Sequence, residues 1–111
     1  MKDRAIFIKK GEEKSKTERP GKLYRMMVKS DQMEAIISEL EPHAESRWYQ
    51  HDGEELHLVL QGEMEYIVEN KIYKLSKGDL LWHPSTLKHR AKNNSDEKTT
   101  YITIGTPPTF M

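Results

Sequence analysis

From Lys22 onward, apolar and polar residues alternate in short runs broken by glycine, proline, asparagine and aspartate. A period of two is the mark of a strand with one buried face. On this reading strands cover Lys22–Val28, Met33–Leu40, Glu55–Gln61, Glu63–Glu69, Ile72–Leu75, Asp79–Pro84 and Thr99–Gly105. Asp52-Gly53, Gln61-Gly62, Glu69-Asn70-Lys71, Lys77-Gly78 and Asn93-Asn94-Ser95 supply the turn chemistry between them. Met33–Leu40 also suits a helix by propensity, but Pro42 follows at once and strand is the reading taken. Ahead of the series, Ala5–Lys9 reads as a short first strand and Lys9–Lys22, rich in Lys, Glu, Ser and Thr, as a solvated loop. Pro107 and Pro108 lead the tail away from the last strand. Many short strands at close spacing point to an all-β sandwich or small barrel rather than an α/β fold.

Composition sharpens this picture. The chain has 111 residues, 35% of them hydrophobic and 32% charged, with a mean hydropathy of −0.86. One domain spanning 1–111 is expected, with a polar loop at about 9–22 and a barrel core at about 23–105. Its apolar core must be small, so polar residues are expected to line a cavity as well as cover loops. Lys plus Arg and Asp plus Glu balance at 18 each, which disfavours direct contact with nucleic acid or an anionic membrane. There is no cysteine, so thiolate metal sites and thiol catalysis are excluded. The N-terminal residues hold no long apolar run, and a cytoplasmic protein is expected.

Chemistry concentrates in two stretches, Tyr49 to Gly62 and Gly78 to Asn93. Strand alternation puts Tyr49 and His51 on one face and Glu55, His57 and Val59 on another. His89 must arrive from a distant strand, which only a closed sheet would bring near. Two imidazoles and a carboxylate, His51, Glu55 and His89, suit a divalent metal while leaving coordination positions open. The same residues also suit a pocket whose polar groups only bond one another.

The two stretches resemble the paired motifs of the cupin superfamily. In the first, three residues separate His51 from Glu55, and Gly62 follows Glu55 after six. In the second, Gly78, Pro84, His89 and Asn93 stand in register, with 63–77 as a compact spacer. Tyr49 replaces the first motif histidine, His43 the leading glycine and Thr86 the glycine after the proline. The resemblance implies a small antiparallel double-stranded β-helix, or jelly-roll barrel. It implies a divalent metal (Fe, Mn, Ni or Zn) on His51, Glu55 and His89, with Tyr49 or His57 as the fourth ligand. It further implies a small-molecule ligand and a homodimer. Residues 25–110 resemble the cupin domain behind the helix-turn-helix of bacterial regulators, so the competing expectation is a metal-free effector-sensing or interaction module. Whether the chain is an enzyme stays open, with Tyr49 and His57 as the candidates for proton transfer.

Three further readings follow. Trp82 and His83 face opposite ways, so at most one lines the cavity, and Trp82 is expected to fill the sheet interface. Met26, Met27 and Met33 are expected in the core or a dimer surface. Gly62 and Gly78 serve tight turns, with Asp79 fixing the second.

Overall fold

The structure, a computed structural model, describes residues 4–109. Its strands are β1 (Ser15–Arg19), β2 (Lys22–Lys29), β3 (Glu34–Leu40), β4 (Glu54–Gln61), β5 (Glu63–Val68), β6 (Lys71–Ser76), β7 (Leu80–Pro84), β8 (His89–Lys92) and β9 (Thr99–Thr106). No helix occurs among the described residues. Period-two burial is clearest in β3, where Glu34, Ile36, Ser38 and Leu40 are buried and the residues between them half-exposed. Strand rather than helix therefore holds for this segment, as the pattern predicts. Likewise β4 turns Glu55, His57 and Val59 inward, and β5 turns in Met64, Tyr66 and Val68.

All strand pairs are antiparallel and form two sheets, β1-β2-β3-β9-β4-β7 and β6-β5-β8. The segment before β4 runs along the free edge of β8, with Tyr49 and His89 exchanging backbone hydrogen bonds at 2.8 and 2.9 Å. This is the antiparallel jelly-roll barrel expected. Leu40, Val59, Met64, Tyr66, Val68, Leu75, Ala91 and Tyr101 form the main apolar core. That core occupies the end of the barrel near the Gly62 turn, where Leu40 pairs with Thr99 and Val59 with Tyr101. At the other end Glu34, Gly105 and Glu55 lie in register across β3, β9 and β4. Along β4 the inward row thus passes from polar to apolar, which explains how so hydrophilic a chain still closes a core.

Two glycines fix the ends of this arrangement. At Gly62 (φ 81°) a Cβ would come within 2.8 Å of the Lys98 carbonyl, and at Gly53 (φ 100°) within 1.9 Å of the Thr106 carbonyl. Neither position admits a side chain without backbone movement. Asp79 fixes the neighbouring turn by accepting from the Ser76 N–H at 2.8 Å.

Several expectations are corrected. Ala5–Lys9 is not a strand. The first strand, β1, lies inside the segment read as a loop, paired with β2 through a two-residue Pro20-Gly21 hairpin (Gly21 φ 74°). Proline followed by left-handed glycine is turn chemistry. β1 is held by its ladder more than by burial, so hydrophobic pattern could not reveal it. β8 is also a strand, with His89 and Ala91 inward. Trp82 neither fills the interface nor lines the cavity: it is 52% exposed on the outer face and donates to Glu54 Oε1 at 2.8 Å. Met26 is in the core, whereas Met33 is exposed.

Candidate metal centre

Glu55 is the centre of the site, and register assembles its surroundings. On one side β7 places His83 directly opposite Glu55, and on the other β9 places Thr103 opposite His57. His51 enters from the chain just before the Gly53 turn, and His89 opens β8. Glu55, His57, His83 and His89 are 7, 1, 3 and 1% exposed. The structure therefore brings together His51, Glu55, His89 and His57, all named from the sequence, and adds His83.

The imidazoles converge through Nε2. His51 Nε2 lies 3.2 Å from Glu55 Oε2, while His57, His83 and His89 Nε2 lie 3.2, 3.5 and 3.4 Å from Oε1. Each ring is anchored through its other nitrogen. Nδ1 of His51 meets the Asp52 carbonyl at 3.1 Å, that of His83 the Pro84 carbonyl at 2.8 Å and that of His89 the Leu87 carbonyl at 2.6 Å. A carbonyl oxygen only accepts, so these three Nδ1 atoms donate, and Nε2 of each ring is left facing the carboxylate. Such outer anchoring of ligand histidines orients them for a metal. His57 Nδ1 pairs with Thr103 Oγ1 at 2.8 Å, and its Nε2 lies 3.0 Å from His83 Nε2. Glu55 also accepts from Ser85 Oγ at 2.7 Å and from the Tyr66 hydroxyl at 3.4 Å.

Burial alone would push the Glu55 carboxyl up, but the imidazoles of His57 and His83 outweigh it and hold the group well below the usual carboxylate range. Burial pushes His57 down to about 4, against the pull of Glu55. Burial likewise lowers His89. The cluster is thus a buried carboxylate ringed by imidazole nitrogens, a donor set that suits a cation. Two overlapping triads have ligand atoms close enough to share an ion: His51, Glu55, His89 and Glu55, His57, His83.

A cavity opens beside Glu55. Tyr24, Tyr49, Tyr66 and Tyr101 contribute to its wall. Burial raises the phenols of Tyr24, Tyr66 and Tyr101, so they stay neutral O–H groups. Tyr49 stacks on the His89 ring with centroids 6.2 Å apart, a wall position beside the triad. Asn93, in register with the second motif, has a different task. Wholly buried, its amide donates to the carbonyls of Leu40, Glu41 and Glu97 and its oxygen accepts from Ser95.

His83 is the residue that sequence reasoning left unassigned. Parity allowed at most one of Trp82 and His83 to face inward, and the β4–β7 register puts His83 there.

A family model described as a cupin domain matches residues 36–105. An uncharacterized protein of Archaeoglobus fulgidus is 31% identical over 64 residues, 58% of this chain. The match spans 60% of that relative's length. Among solved structures, KdgF from Halomonas sp. superposes with a TM-score of 0.79 at 19% identity, covering 92% of this chain and 94% of its own. An RmlC-like cupin from Shewanella frigidimarina gives 0.79 at 20% identity, covering 93% and 92%. At these identities the two structures speak to the fold.

Proposed function

The chain belongs to the cupin family, and we propose that its pocket binds a small molecule around a divalent metal held by His51, Glu55 and His89. One observation carries this reading. His51 and His89, each anchored through Nδ1 on the carbonyls of Asp52 and Leu87, turn Nε2 toward a buried carboxylate at 3.2 and 3.4 Å. Burial disfavours a proton on His89, and a metal suits the donor set. Two imidazoles and a carboxylate match Fe, Mn, Ni or Zn. Bound there, such an ion would polarise an oxygen of the ligand.

The chain's own residues then receive the ligand. Tyr24, Tyr66 and Tyr101 line the cavity with phenol rings, the Tyr66 hydroxyl donating to Glu55, and Tyr49 closes the wall beside His89. Where the ligand is turned over, Tyr49 or His57 moves the proton; unchanged turnover after substitution of both would reject that role.

The apolar outer face of the large sheet supports a homodimer. Ile37, Ile102, Leu58 and Leu80 form one cross-strand row, and Ala35, Ile104, Leu56 and Trp82 the next. Leu80 is 58% exposed, and a second copy would cover this surface. The balanced charge and absence of cysteine fit a cytoplasmic protein without direct nucleic-acid contact. Among the described residues no helix is long and apolar enough to cross a membrane.

The test is metal content after purification without chelators, with His51→Ala and His89→Ala in parallel. Loss of one equivalent in each variant is expected. No metal in the wild type under any loading condition would refute the reading and favour a metal-free effector-sensing or interaction module using the same pocket.

A further inference from the structure

We propose that Glu55, His57 and His83 form a second, inner divalent-cation site, so that Glu55 bridges two ions. The inference rests on the outer site only through the shared carboxylate.

The first argument is geometric. Ligands bonded to one ion at about 2.1 Å lie about 3.0 Å apart along an octahedral edge and about 3.4 Å apart along a tetrahedral one. The three edges of the inner triad are 3.0 Å (His57 Nε2 to His83 Nε2), 3.2 Å (His57 Nε2 to Glu55 Oε1) and 3.5 Å (His83 Nε2 to Oε1). All three atoms therefore sit where the corners of one coordination face would.

A hydrogen-bonded triad without metal accounts for less. His83 Nδ1 gives its proton to the Pro84 carbonyl, so in the neutral ring Nε2 is an acceptor, as is the carboxylate. A single proton on His57 Nε2 can serve one of these two acceptors. The edge between His83 and Glu55 is then acceptor against acceptor, in a site where all three residues are at most 7% exposed. Anchoring is complete as well: Thr103 Oγ1 holds the outer nitrogen of His57 and the Pro84 carbonyl that of His83.

The carboxylate is placed to bridge. His51 lies against Oε2, whereas His57, His83 and His89 lie against Oε1. Ions on the two oxygens of one carboxylate fall at the separation usual for two-metal sites, about 3.5–4 Å. Mutual repulsion at that distance makes the second ion bind more weakly than the first.

Chelator-stripped full-length protein is loaded with Zn²⁺ or Mn²⁺ alone and counted by elemental analysis, alongside His51→Gln and His83→Gln. Two ions per wild-type chain and one in each variant are expected, with far-UV circular dichroism verifying the fold. One ion in the wild type, lost in His51→Gln and kept in His83→Gln, overturns the inner site and leaves the proposed function standing. One ion lost in His83→Gln and kept in His51→Gln overturns both the bridged pair and the proposed outer ligands. Should His83→Gln fail to fold, the electron paramagnetic resonance of Mn²⁺-saturated wild type decides. An exchange-coupled pair supports the proposal, and isolated six-line Mn²⁺ overturns it.

Discussion

Replacing Glu55 by glutamine tests the centre of the site with little change of shape. The wild-type carboxylate accepts from Ser85 at 2.7 Å and is ringed by imidazole Nε2 atoms within 3.5 Å. Glutamine keeps one acceptor oxygen for Ser85 but removes the charge common to both triads. A ligand that binds only the folded state stabilises it by RT ln(1 + [L]/Kd), about 2.7 kcal/mol at a hundredfold excess over Kd. For a domain of this size each kcal/mol moves Tm by about 4 °C, so saturating metal should raise the wild-type Tm by roughly 10 °C. Differential scanning fluorimetry of stripped protein, with and without Zn²⁺ or Mn²⁺, reads this directly. Glu55→Gln should show no metal-dependent rise while its metal-free Tm remains measurable. A rise in the variant equal to that of the wild type would refute the assignment of Glu55 as a ligand.

Glu39 accepts from Lys98 at 3.1 Å and pairs with Arg25; burial raises its carboxyl, but these cations prevail and lower it. Its folded pKa being the lower one, its stabilisation is present above the ordinary carboxylate range and is lost as pH falls through the folded value. Glu39→Gln should thus cost about 0.5–1 kcal/mol at pH 7 in denaturant titration, the difference shrinking in acid; a gap unchanged by pH would contradict the pairing. Gly53→Ala sets a Cβ 1.9 Å from the Thr106 carbonyl at φ 100° and should cost about 3 kcal/mol or more; a loss below about 1 kcal/mol would show that the Gly53 turn relaxes freely. Leu80→Lys with Trp82→Lys places charge on the outer apolar rows and should halve the mass in light scattering. A wild type already monomeric at micromolar concentration rejects that interface.

What was legible in the chain was whatever depends on local periodicity. Alternation alone put Glu55, His57 and Val59 on one face, and β4 bears this out. Motif spacing together with the family resemblance picked out His51, Glu55 and His89, and both imidazoles lie within 3.4 Å of the Glu55 carboxylate. What depends on pairing between distant strands was not legible. His83 is adjacent to Glu55 because of the β4–β7 register, a quantity no window of sequence contains. β1 was missed for a related reason, since its ladder to β2 buries little and leaves no apolar imprint. Asn93 shows the converse, a motif residue whose position was foreseen but whose side chain ties loops together instead of reaching the cavity.

Tyr49 was the residue that made the site look incomplete, because a phenol stands where the motif carries an imidazole. The structure changes how that substitution weighs. Four imidazoles, not two, aim Nε2 at Glu55, and the additional pair, His57 and His83, lies on the Oε1 side of the carboxylate. Each buried ring costs desolvation unless its lone pair is used, and each is held by a dedicated partner at its outer nitrogen. The polar row gives way to the apolar core at Val59, one pleat further along the same strand. That boundary puts the additional pair on the interior side of Glu55, with Tyr49 against His89 at the cavity wall.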